Sequence, residues 1–250
     1  MIDLHSHVLP GVDDGPPSLD GSLEILEAAA EDGIARIAAT PHVRDDYPTA
    51  PETMERLVDE VNAAARDEGV PVEVLPGGEL ALGHAIVLDD ETLRRFGLGG
   101  NPSLLLLEFP YRGWPLDLRD IVFRLETRGY RIVLAHPERN ADVQADPEQL
   151  RPIVEAGVFV QLTAASVDGR LGRASEAASR TLLDAELAHL IASDAHAPAI
   201  RAIGMSAAAE AVGDEALARW LTYDVPAALL AGAPPPPRPA QRRRLRLRRN

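Results

Sequence analysis

Met1–Gly15 reads MIDLHSHVLPGVDDG, and its interpretation decides that of the rest of the chain. Over Ile2–His7 apolar and polar residues alternate, so an extended segment places Asp3, His5 and His7 on one face and Ile2, Leu4 and Ser6 on the other. Two imidazoles two residues apart on a strand can converge on one ion. Asp13 and Asp14, just beyond, add carboxylates suited to a harder ion or a bridging role.

Working outward, the pattern of strand, polar residue and helix repeats. Leu19–Asp32 is expected as a helix after Ser18, and Ile34–Thr40 as a buried strand ending at Pro41–His42. A helix over 52–68 precedes a strand over Val70–Leu75 and the turn Pro76–Gly77–Gly78–Glu79. Leu104–Leu107 runs into Glu108, and Arg131–Ala135 into His136–Pro137–Glu138–Arg139, with a helix over 116–128 between them. Helices over 148–156 and 174–186 flank a strand over Val158–Leu162 that contains Gln161, and His189–Ser193 ends in Asp194–Ala195–His196. Seven strands with intervening helices describe an α/β fold, one closed or nearly closed (β/α)7 barrel akin to the TIM barrel. One domain is expected over 1–232, followed by a disordered Pro/Arg-rich tail over 233–250.

In such a barrel the C-terminal ends of the strands share one mouth. His5, His7, His42, Glu79, Glu108, His136, Asp194 and His196 all fall at or just past those ends, and Asp14 lies on the first loop. These nine candidate ligands match two or three ions, with Glu79 best placed to bridge two of them and Asp14, His42 and His196 turned toward a third. Imidazole and carboxylate donors admit manganese, iron or zinc, and the carboxylate share favours Mn2+. His84 reads as a rim residue and His189 as an ordinary strand residue. A cluster of this kind generates hydroxide at neutral pH and clamps attacking and leaving oxygens.

Composition excludes other chemistries. The chain has no cysteine and no lysine, so thiolate nucleophiles, disulfides and Schiff bases are absent and all 25 basic residues are arginines. A net charge of −14 argues against nucleic acid as partner. No window suggests a signal peptide or a membrane span, so a cytoplasmic protein is expected.

MIDLHSH, Asp13–Asp14–Gly15, Thr40–His42, the Glu79 segment, Leu107–Pro110, Ala135–Arg139 and Ile191–His196 together resemble the polymerase and histidinol phosphatase (PHP) superfamily. More closely they resemble its bacterial manganese-dependent protein-tyrosine phosphatases from capsular and exopolysaccharide gene clusters. The resemblance spans roughly 1–230 and implies three metals: one held by His5, His7, Glu79 and Asp194, a second by Glu79, Glu108 and His136, a third by Asp14, His42 and His196. It implies in-line attack of a metal-activated hydroxide on phosphotyrosine of a polysaccharide-synthesis tyrosine kinase. His42, His136 and His196 then serve the reacting centre, and Arg139 and Arg201 grip the phosphoryl group.

Two rival functions remain open at this point: a phosphatase for histidinol phosphate or a sugar phosphate, and a non-catalytic metal-binding assembly module. The loop 43–50 carries one basic residue, Arg44, beside Asp45–Asp46, which would repel a phosphorylated peptide unless directed away. The tail reads as an extended proline-rich linker before an arginine cluster suited to weak contact with an anionic membrane surface.

Overall fold

Ile2–Ser6 forms strand β1, and all five of its side chains are buried, because both faces of a strand in a helix-covered parallel sheet are shielded from water. A computed structural model describes residues 1–197 and 202–240. Among the described residues the later strands are β2 (Arg36–Ala39), β3 (His42–Arg44), β4 (Tyr47–Pro48), β5 (Glu73–Leu75), β6 (Glu79–Ala81), β7 (Leu104–Glu108), β8 (Arg131–Ala135), β9 (Phe159–Thr163) and β10 (Leu190–Ala192). They form a three-stranded sheet in the order β1-β2-β5 and a seven-stranded sheet in the order β10-β9-β8-β7-β6-β3-β4. Every ladder is parallel except the β3–β4 hairpin.

Two of the seven expected strands end at a proline, as the sequence indicates, but each is followed by a short further strand that belongs to the other sheet. Thr40 still donates its N–H to Ser6 O at 2.8 Å, but Pro41 has no N–H to give, and beyond it β3 pairs with β6 in the other sheet. Pro76–Gly77–Gly78 makes the matching break between β5 and β6. A Cβ on Gly78 would lie 2.7 Å from the buried Phe96 ring, so this position needs glycine for close approach.

The first and last strands meet at a seam. His7 N–H donates to Ala195 O and Asp194 N–H to His5 O, both at 2.8 Å. Asp3, fully buried, accepts from the N–H groups of Ser193 at 3.0 Å and His5 at 3.2 Å, and burial pushes its carboxyl up to about 6. Asp3 thus serves the seam and not the ligand cluster beside it.

Helices pack outside the strands. Pro51–Asp67 buries Met54, Leu57, Val58 and Val61, as the spacing predicts. The helix expected over 148–156 is split into a 3-10 turn, Pro147–Leu150, and a short α-helix, Arg151–Glu155, because Pro152 cannot continue the hydrogen-bond ladder.

The proline-rich segment differs from the linker expected there. Ala233 N–H donates to Ala228 O, and Arg131 to Ala233 O. Trp220 Nε1 donates to Pro236 O at 2.9 Å. The Arg238 guanidinium donates to Ala188 O and Leu183 O at 2.7 and 2.9 Å and lies 5.2 Å from the centre of the Trp220 ring. Residues 233–238 are thereby tied to the ends of β8 and β10 remote from His136 and Asp194; the remaining tail arginines lie outside the described residues. Truncation after Gly232 should lower stability by roughly 1–3 kcal/mol, the usual scale for losing buried hydrogen bonds and packing. Truncation after Ala240 should leave the thermal midpoint within experimental error, and a comparison of the two by calorimetry checks this.

His189 sits under this strap. Its Nδ1 accepts the Val160 N–H at 3.1 Å, which requires a neutral ring, and burial, aided by the Arg238 charge, pushes it down to about 4. Unfolded histidine takes up its proton near 6.5. Between those pH values the unfolded chain binds more protons, so this residue makes stability fall as pH drops from about 6.5 toward 4, by at most about 3 kcal/mol. His189→Gln should flatten that part of the decline, read as the urea midpoint at successive pH values.

Candidate metal centre

Strands carry His5, His42, Glu79 and Glu108, and the loops after strands carry His7, Asp14, His136, Asp194 and His196. His136 follows β8 with φ 38° and Asp194 follows β10 with φ 52°, both left-handed, a conformation disfavoured for residues with a Cβ and concentrated at functional sites. Glu79 begins β6 after the proline–glycine break and is fully buried.

Glu79 occupies the middle of the cluster. Its Oε1 lies 2.8 Å from His136 Nε2 and 3.6 Å from His5 Nε2; its Oε2 lies 2.9 Å from His42 Nδ1 and 3.5 Å from His7 Nε2. Asp194 Oδ1 is 3.4 Å from His5 Nε2, 3.5 Å from His7 Nε2 and 3.6 Å from His196 Nδ1. Asp14 Oδ1, nearer solvent, is 3.1 Å from His196 Nε2 and 3.5 Å from His42 Nε2. Glu108 Oε2 approaches His42 at 3.8 Å.

All nine sequence-predicted ligands come together, in four overlapping groups: His7, Asp14, His42 and His196; His5, Glu79 and His136; His5, His7 and Asp194; His42, Glu79 and Glu108. The ligand atoms within each group lie within 4.8 Å of one another. These groups of neighbouring donor atoms overlap the sets implied by the resemblance without coinciding with them: Glu108 lies by His42 and Glu79, His5 lies by Glu79 and His136 as well as by His7 and Asp194, and His7 joins the Asp14 group.

The electrostatics fit cations. Burial alone would push the Glu79 carboxyl up, but His5, His136 and His42 hold it well below the usual range. Asp194 is likewise held low against burial, by His5, His7, His136 and His196. Burial opposes a charge on His7, yet Asp13, Asp194 and Glu79 raise its pKa well above the ordinary value. Protons on imidazoles balance the carboxylates here, and divalent cations bound by the same donors would displace those protons. The donor set is entirely imidazole nitrogen and carboxylate oxygen, which fits borderline or hard divalent ions and gives no soft thiolate site.

Residues outside the predicted ligand set orient it. Asp13 Oδ2 lies 2.7 Å from His7 Nδ1 and accepts the His42 N–H at 3.0 Å. Gln161 Oε1 lies 3.0 Å from His5 Nδ1, and a carbonyl oxygen can only accept there, so Nδ1 carries a hydrogen and Nε2 is the ring atom turned to the cluster. Gln161 is what β9, the strand without a ligand, contributes. Arg139 Nη1 donates to Asp194 Oδ2 at 2.5 Å, and Arg44 Nη1 to Glu108 Oε1 at 2.7 Å. His84 lies at the rim, 3.4 Å from Asp45, and His189 lies apart from the centre. Arg201, expected to grip phosphate, lies outside the described residues.

Residues 1–231 match the family model described as capsular polysaccharide synthesis, CpsB/CapC. The chain belongs to this family. The CpsB/CapC relatives include the tyrosine-protein phosphatase YwqE of Bacillus subtilis, 36% identical over 197 residues that cover 78% of this chain and 77% of the relative. They also include the tyrosine-protein phosphatase CpsB of Streptococcus agalactiae serotype III, 27% identical over 203 residues, 78% of this chain and 83% of that one. A chain from crystal structures of YwqE from Bacillus subtilis and CpsB from Streptococcus pneumoniae, described as unique metal-dependent tyrosine phosphatases, superposes with a TM-score of 0.85. It is 32% identical, with 97% of this chain and 100% of that chain covered, so the CpsB/CapC chain has the α/β architecture of those phosphatases.

Because Glu79 is shared by two of the four groups, Glu79→Gln should weaken more than one ion, whereas His196→Ala removes a donor from a single group. Metal content by elemental analysis at matched free manganese should therefore fall further in Glu79→Gln. Equal content in the two variants would exclude a bridging Glu79.

Proposed function

We propose that the chain is a metal-dependent protein-tyrosine phosphatase, a phosphomonoesterase that hydrolyses phosphotyrosine on a protein. The observation that carries this reading is the convergence of five imidazoles and four carboxylates around buried Glu79, on the strands and the loops beside them, in a chain without cysteine. A phosphocysteine intermediate is thereby excluded. The tyrosine-phosphatase names of the CpsB/CapC relatives support the substrate class.

In this reading His5, His7, Asp14, His42, Glu79, Glu108, His136, Asp194 and His196 hold two or three ions, with Mn2+ the preferred metal. Divalent ions held by these residues would supply an activated water and positive charge for the phosphoryl oxygens. The protein's own groups do the rest. His42, His136 and His196 aim ring nitrogens at the reacting centre, Asp13 and Gln161 fix the orientation of His7 and His5, and the strand ends hold them rigidly. Arg139, anchored on Asp194, offers its remaining donors to equatorial phosphoryl oxygens, where a guanidinium fork matches the geometry. Arg201 is the second such group proposed.

The finer architecture belongs to the same proposal. The two sheets, joined through the β2–β3 and β5–β6 breaks and through the Ser6–Ala195 bridge at the seam, support a distorted seven-stranded (β/α)7 barrel. The catalytic domain is 1–232. A cytoplasmic location and a tyrosine kinase of polysaccharide synthesis as substrate are part of the same proposal, in keeping with a family described by capsular polysaccharide synthesis. No helix among the described residues is long and apolar enough to cross a membrane.

Hydrolysis of a phosphotyrosine peptide, a phosphoserine peptide and histidinol phosphate, after metal removal and graded manganese re-addition, tests the reading. The phosphotyrosine peptide should be turned over fastest, and only with metal; faster turnover of histidinol phosphate would transfer the protein to small-molecule chemistry. Arg139→Ala should retain metal and lower kcat/KM for an aryl phosphate by about 10²-fold, the scale for one lost charge-stabilising donor. Arg139→Lys should recover only part, since a point charge replaces a fork.

A further inference from the structure

Arg139 has a structural counterpart on the other side of Glu79. On one side Glu79 Oε1 meets His136, Tyr111 stacks on the His136 ring at 5.7 Å and 12°, Arg139 lies 4.7 Å from the centre of the Tyr111 ring, and Arg139 is held by Asp194. On the other, Glu79 Oε2 meets His42, and Tyr47 stacks on the His42 ring at 5.6 Å and 17°. Arg44 lies 5.3 Å from the centre of the Tyr47 ring and is held by Glu108. The same chain of imidazole, tyrosine, arginine and ligand carboxylate occurs twice around one carboxylate, built from different elements with no sequence repeat.

The second arm stands on the β3–β4 hairpin, where Arg44 and Tyr47 are cross-strand partners on the edge of the seven-stranded sheet. Its guanidinium is about a quarter exposed, so it faces both the centre and solvent. Of its five N–H donors, Nη1 serves Glu108 and Nε faces Asp46 Oδ1 at 2.8 Å. Asp45 turns toward His84, whereas Asp46, itself exposed, stays paired with Arg44. An arginine laid flat on an aromatic ring and pinned at one nitrogen has lost most of its rotamer freedom before any ligand arrives.

We propose that Arg44 is a further substrate-contacting residue, which binds the phosphoryl dianion from the side opposite Arg139, with Tyr47 as its positioning residue. Asp46 is the internal anion that the phosphoryl group displaces from Arg44. The proposal deepens the phosphatase reading and rests on it for the identity of the ligand. The rival explanation is that Arg44 only orients Glu108 for metal.

Inorganic phosphate, as ligand and as competitive inhibitor of p-nitrophenyl phosphate hydrolysis, separates the two with manganese-loaded protein. Arg44→Ala should weaken phosphate binding and lower kcat/KM by about tenfold or more, while bound metal per chain stays at the parent level. Arg44→Lys should keep the charge and restore part of the affinity. Tyr47→Leu should weaken phosphate less than Arg44→Ala, and Asp46→Asn should tighten it, because the competing carboxylate is gone. Loss of metal in Arg44→Ala, with phosphate affinity at saturating manganese unchanged in both Arg44 variants, overturns the proposal. Weaker phosphate binding by Asp46→Asn overturns the displacement step. Calorimetry of phosphate binding needs no turnover, so absence of hydrolysis on every phosphomonoester would sink the phosphatase reading while this comparison still decides the role of Arg44.

Discussion

The carboxylate of Glu79 is completely buried, and the groups within ion-pair distance of it are imidazoles: His5, His7, His42 and His136. An ionised carboxylate in such a place is tolerated only with compensating positive charge. His5 and His7, whose pKa values are raised, supply part of it by taking protons, and the same donors can bind cations instead. Much of the architecture near the centre follows from the need to bring these rings to one carboxylate from strands far apart in sequence.

Three devices meet that need. Proline breaks let the second and third strand positions switch sheets, so that His42 and Glu79 lie side by side in register on β3 and β6. Left-handed backbone at His136 and Asp194 turns the chain sharply where β8 and β10 end. The seam between β1 and the segment after β10, with Asp3 accepting from both sides, brings His5 and His7 against Asp194. Backbone strain at the ligands is thus balanced by dense hydrogen bonding just behind them.

The nine candidate ligand positions were legible because their chemistry is coupled to a periodic signal: each lies on or just past an apolar stretch or on the loop after one, and in a parallel array those places come together. Asp13 and Gln161 were visible as polar residues, but orienting an imidazole requires a distance and an atom, and neither is encoded in spacing. Arg44 and Tyr47 read as part of an unremarkable loop, since a two-residue edge strand leaves no periodic trace. The proline-rich segment read as a linker for the same reason: proline content bars regular helix, yet it leaves carbonyl groups free to accept, and Trp220 uses that of Pro236.

The sequence by itself determined the class of fold, the metal-ligand chemistry and the family, because hydrophobic periodicity and the motifs around His5, His42, Glu79, His136 and Asp194 are local properties of the chain. Only the tertiary structure shows which donor atoms are neighbours, such as Glu108 near His42 and Glu79. It alone placed Arg44 opposite Arg139 and Arg238 beneath Trp220. These are contacts between residues with no fixed sequence separation, set by how strands register and where side chains find room, and they exist only once the chain is packed.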